Sequence, residues 1–157
     1  MYSPLHASAG LLLATLAPNP VVAFGLGVLS HYVLDAIPHG DMNGPAWIFG
    51  GRKVPHLVYI EIADLGLAAA AVFILTAQFA PSVMPKLWLG ALGGITPDLL
   101  WGTEYMMQRF HWRVPGFSAI LHWHSRWHAF VHARKKIDVP YLVGLGYQGL
   151  LLVLLLG

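Results

Sequence analysis

Five runs of apolar residues dominate this chain, at 5–17, 21–37, 57–80, 87–107 and 141–156. Pro18-Asn19-Pro20 closes the first, Pro38 the second and Pro81 the third. A helix that crosses a bilayer needs roughly 20 apolar residues. The third and fourth runs have that length, the second and fifth are marginal, and the first is short. Period-two alternation is missing, so no strand pattern competes, and the many glycines and alanines suit close helix packing in lipid. Between the fourth and fifth runs, 118–132 is rich in Trp and His and reads as an amphipathic helix. The expected fold is therefore an all-α integral membrane protein. It has about five apolar helices and one short His/Trp-rich amphipathic helix in a single domain, 1–157.

Composition supports the same class. Charged residues are 10% of the 157 and hydrophobic residues 57%, whereas a soluble domain carries about 25% charged residues. Mean hydropathy is +0.62. A net charge of +2 and the lack of a Lys/Arg run interleaved with aromatics argue against nucleic acid as a partner. With no cysteine, disulfides and thiolate metal sites are excluded. The first 17 residues have no basic start, and Ala7-Ser8-Ala9 precedes the apolar run instead of following it, which argues against a cleaved signal peptide.

Basic residues set an orientation. If all five runs cross, one side carries Arg52, Lys53, Arg109, Arg113, Arg126, Arg134, Lys135 and Lys136, and the other only Lys86. The positive-inside rule then puts the N-terminus in the cytoplasm. The expected location is the cell's inner membrane, with membrane lipid as the surrounding partner.

Ionisable residues inside apolar runs are costly and call for a reason. Asp35, Glu61, Asp64 and Asp98 all sit in such runs, and no Lys or Arg lies at comparable depth. Histidine is plentiful instead. His31 and Asp35 are four apart, on one helix face; His39 and Asp41 follow at once; His124, His128 and His132 form a four-residue ladder. Alternating topology brings His6, His31, Asp35, His39, Asp41, Glu61, Asp64, Asp98 and the 118–132 region toward the same side. Carboxylates and imidazoles converging without a buried cation suit a divalent metal, zinc before others. The candidate ligands are His6, His31, Asp35, His39, Asp64, Asp98, His122, His124 and His128, with Glu61 or Asp41 as a general base. Blander readings stay open. His31 and Asp35 can be a hydrogen-bonded clamp, and Thr96-Pro97-Asp98 a kink with a capping Asp. His122, His124, His128 and His132 cannot all be ligands.

Ser30-His31-Tyr32-Val33-Leu34-Asp35, His6-x-x-x-Gly10, Thr96-Pro97-Asp98 and His124-Ser125 resemble the inner-membrane metal-dependent hydrolases, a family with LexA-regulated members. In motif style that family is similar to zinc-dependent phospholipase C and P1-type nucleases, which are helical and use His-x-x-x-Asp ligands. The resemblance implies a metal-dependent hydrolase of a phosphoester or lipid-like substrate. The chain departs from the family pattern after Pro97-Asp98, where Leu99-Leu100-Trp101 replaces a second Asp and a His, which implies an altered ligand number. A metal or proton transporter, and a non-catalytic membrane protein with a structural metal, are the competing classes.

Overall fold

The computed structural model describes residues 1–40, 54–133 and 139–156, with side chains over 1–40, 58–131 and 139–156. Within them the regular elements are helical. They are α1 (Ser3–Ala14), α2 (Pro20–Asp35), α3 (Val54–Thr76), a 3-10 turn at Pro81–Val83, α4 (Met84–Arg109), α5 (Phe117–Ala133) and α6 (Tyr141–Leu156). These are the five apolar helices and the His/Trp-rich sixth that the sequence led us to expect.

Local chemistry explains the breaks. Asn19 caps α2 by accepting a hydrogen bond from the Val22 amide at 3.0 Å, and Pro20 occupies the first helical position, where its missing N–H costs nothing. Pro38 then disfavours continuation beyond the end of α2. At the end of α1, the Lys86 ammonium donates to the carbonyls of Thr15 at 3.2 Å and Ala17 at 3.0 Å, groups the helix leaves unsatisfied.

The helices alternate in direction. The start of α1 meets the end of α2 and the first half of α3, through Met1 to Asp35 and Ser3 to Asp64. The start of α6 joins them through Tyr2 and Tyr141. The start of α4 lies at the opposite end, where Lys86 caps α1. An apolar core of Leu11, Ala14, Ala17, Leu75, Leu87 and Ala91 fills that opposite end. Helices α1, α2 and α4 form the tightest group because glycine lets their backbones touch. A Cβ on Gly27 would fall 2.1 Å from the Gly90 carbonyl oxygen, and one on Gly94 would fall 2.2 Å from the His6 carbonyl oxygen.

Among the described residues, one helix is both long and apolar enough to cross a membrane, the Val58–Thr76 stretch of α3. The fourth run therefore differs from expectation. Helix α4 has 26 residues, but Lys86, Asp98, Glu104, Arg109 and four glycines lower its apolarity. Helices α2 and α6 are apolar at 16 residues each, and α1 has 12. Exposure is inverted relative to a water-soluble fold. Val21 is 80% exposed and Phe73 76%, while His31 and Asp35 are fully buried.

Candidate metal centre

The site starts on α2. His31 and Asp35 lie one turn apart on the same face, with His31 Nε2 3.1 Å from Asp35 Oδ2. The other ring nitrogen of His31, Nδ1, lies 2.8 Å from the Gly94 carbonyl oxygen on α4. A carbonyl only accepts, so Nδ1 carries a hydrogen, which leaves Nε2 as the ring nitrogen that would ligate an ion. Gly94 is positioned to do this because it has no side chain to push α4 off α1.

Asp98, one turn beyond Gly94, places Oδ1 3.7 Å from His31 Nε2. His128 on α5 completes the group. Its Nε2 lies 3.3 Å from Asp35 Oδ2, 3.5 Å from Asp98 Oδ1 and 3.3 Å from His31 Nε2. One ligand atom from each of these four residues lies within 4.8 Å of every other, so the group can hold a metal ion. The spacing fits coordination. Two donors each about 2.0–2.1 Å from a zinc ion stand about 3.3 Å apart at a tetrahedral angle. Fixing the free Nδ1 hydrogen on a backbone carbonyl is also how ligating histidines are usually oriented. Among the described residues, no Lys or Arg side chain is buried to neutralise the carboxylates. The Met1 amine does reach Asp35 Oδ1, at 2.7 Å.

Three further expected ligands border the group. His6 is fully buried and stacks on His31 with ring centroids 4.0 Å apart. Its Nε2 is 3.2 Å from Asp35 Oδ1 and 4.0 Å from Asp98 Oδ2. His39 places Nε2 3.8 Å from Asp35 Oδ1 and 2.9 Å from the Met1 amine, with Nδ1 donating to Ile37 at 2.7 Å. Asp64 accepts from the Ser3 amide at 2.9 Å. Asp64 and Glu61 share a cavity of about 440 Å³ with Asp98 and His128, walled by Ile60, Trp101 and Tyr141. Asp41, the other expected base, lies outside the described residues.

Helix α5 separates the expected histidines. His124 is buried and stacks on His128 at 5.8 Å, with no hydrogen-bond partner for either ring nitrogen. Burial and the neighbouring His128 charge hold its pKa below the ordinary value. For His128, burial works to lower the pKa. Hydrogen bonds to the Asp35 and Asp98 carboxylates outweigh it, and the group is pushed up to about 9. His122, two residues before His124, faces elsewhere. Its Nδ1 is 3.2 Å from Glu104 Oε1, and Gln108 donates to the same oxygen at 2.9 Å. His122 is thus not brought to the group, because two positions along a helix turn a side chain to the far face.

Two polar residues near these sites carry no role in the sequence reading. Buried Gln148 on α6 accepts from the Tyr2 amide at 3.0 Å and donates to the His39 carbonyl at 3.0 Å, so it ties α1 and the end of α2 together. It is the only polar side chain besides tyrosine in the fifth apolar run, and that isolation is the signal for it. Buried Glu104 is the second.

No protein-family model, curated protein or solved structure matches the chain.

Proposed function

We propose that this chain is a membrane-embedded, metal-dependent hydrolase of a phosphoester or related lipid-like substrate. The ion, zinc before other divalent metals, would be held by His31, Asp35, Asp98 and His128. The observation that carries the reading is the four-donor group opening, through Asp98 and His128, onto a cavity that also holds Glu61 and Asp64. A divalent ion there supplies Lewis acidity toward a phosphoryl oxygen and acidifies water. Glu61 is the carboxylate free to take a proton as general base. Ile60, Trp101 and Tyr141 offer apolar wall for an acyl chain.

Placement in a membrane rests on α3 and on the inverted exposure. Only 17% of the apolar window in Val58–Thr76 is buried, so this helix is no core helix of the bundle. The eight-to-one basic asymmetry supports a cytoplasmic N-terminus and an external C-terminus. A transporter needs polar groups along a path. Here they gather at one end, and Leu11, Ala14, Leu75 and Leu87 fill the other.

The test is hydrolysis by the zinc-loaded protein in detergent or nanodiscs, with a chromogenic phosphodiester and short-chain phospholipids as substrates. Metal-dependent turnover that falls at least 100-fold in Asp98→Asn and clearly in Glu61→Gln supports the reading. Stoichiometric metal with no hydrolysis of any phosphoester overturns it.

A further inference from the structure

We infer that the centre is dinuclear, with Asp35 and Asp98 bridging two metal positions and His6 as the terminal ligand of the second. The inference rests on the metal-binding part of the reading above. Each carboxylate offers its two oxygens to different partners. Asp35 Oδ2 and Asp98 Oδ1 face His31 Nε2 and His128 Nε2, at 3.1 to 3.7 Å. Asp35 Oδ1 and Asp98 Oδ2 face His6 Nε2 instead, at 3.2 and 4.0 Å. The Met1 amine also reaches Asp35 Oδ1, at 2.7 Å, and is the group a second ion would displace from that oxygen. Two donor sets that share two carboxylates are the arrangement of a bridged pair of ions, which in two-metal sites stand about 3.5–4 Å apart.

His6 supplies an independent observation. The residue is fully buried, and neither ring nitrogen makes a hydrogen bond. Nε2 does stand 3.2 Å from Asp35 Oδ1, a contact that is an ion pair only if the ring is protonated. Buried polar atoms are rarely left so, because desolvation without a partner is costly. An ion at Nε2, Asp35 Oδ1 and Asp98 Oδ2 meets that need. His6 is also held in place from two sides. Its ring stacks on His31, and its carbonyl abuts the bare Cα of Gly94. The second ion takes oxygen and imidazole donors, a set open to zinc and manganese. His39, with Nε2 3.8 Å from Asp35 Oδ1, borders the same position.

The test is manganese titration of the metal-stripped, full-length protein, read by metal analysis and electron paramagnetic resonance. Two ions per chain with an exchange-coupled spectrum are expected. His6→Asn should keep one ion and show an uncoupled six-line signal. One ion per wild-type chain, or two ions without coupling, overturns the dinuclear centre and leaves the single-metal site standing. Two coupled ions in His6→Asn also overturn it. No bound metal overturns both this inference and the proposed function. Because hydrolysis is not part of the readout, an inactive protein with two coupled ions fails only the hydrolase reading. The wild-type spectrum decides even if the variant does not fold.

Discussion

The Gly94 carbonyl oxygen accepts the Nδ1 hydrogen of His31 at 2.8 Å, and this one bond aims the other ring nitrogen, Nε2, at Asp35 and Asp98. A backbone group of α4 thereby sets the chemistry of a side chain on α2. The same glycine also lets α4 approach α1, where its bare Cα meets the His6 carbonyl.

Substitution at Gly94 should therefore disturb stability and metal binding together. In Gly94→Ala the new Cβ would stand 2.2 Å from the His6 carbonyl oxygen, a backbone atom that cannot swing aside. Overpacking of this kind costs about 1–3 kcal/mol. The expected result is a lower Tm in detergent and weaker zinc affinity. Gly102→Ala meets nothing within 4 Å and should leave both unchanged or raise the Tm slightly. Equal behaviour of the two variants in thermal melts would contradict this account of Gly94.

His31→Ala and Asp35→Ala should each lose bound metal and melt at lower temperature, because an uncompensated buried charge costs roughly 3 kcal/mol or more. Excess zinc should restore part of the loss by mass action. His122→Ala, which removes a side chain paired with Glu104 away from the group, should keep wild-type metal content. If His122→Ala strips the metal and His31→Ala does not, the ligand assignment is wrong.

The contrast between His122 and His128 marks what was legible in the sequence. The four-residue spacing of His31 and Asp35 put them on one face without any knowledge of the fold. Alternating helix direction was enough to bring His6, Asp98 and the 118–132 segment to the same end. Register within that segment was not legible, because four histidines on two faces of one helix look alike until the partner helix is placed. Helix α4 has the length of a span, but the sequence did not show that Gly90, Gly93 and Gly94 serve contact with α1 and α2. Glu104 also lies within the fourth apolar run, and only the packing of α5 on α4 reveals that it is buried.

The charge on His128 gives opposite pH trends with and without metal. Its folded-state pKa of about 9 lies above the ordinary 6.5. Pairing with Asp35 and Asp98 therefore stabilises the metal-free chain fully below pH 6.5, and that contribution is lost as pH rises through 9. Metal needs the neutral ring, so its affinity should climb over the same window. Calorimetry in buffers of different ionisation enthalpy should show proton release on zinc binding at pH 7. No release at pH 7 would mean that His128 is not a ligand or is not protonated beforehand.

Topology is open to a direct check. Reporter fusions should place the N-terminus in the cytoplasm and the C-terminus outside, as the basic residues imply. Both ends on one side would mean that α1 or α6 does not cross, and the metal group would then lie at a different depth.

The central claim is that His31, Asp35, Asp98 and His128 bind a divalent metal, and elemental analysis of the purified protein tests it most directly. The account predicts at least one divalent ion per chain, retained through purification, with chelation lowering the Tm and resupplied zinc restoring it. Protein that carries no stoichiometric metal even after zinc and manganese supplementation, and melts identically with and without chelator, would contradict it.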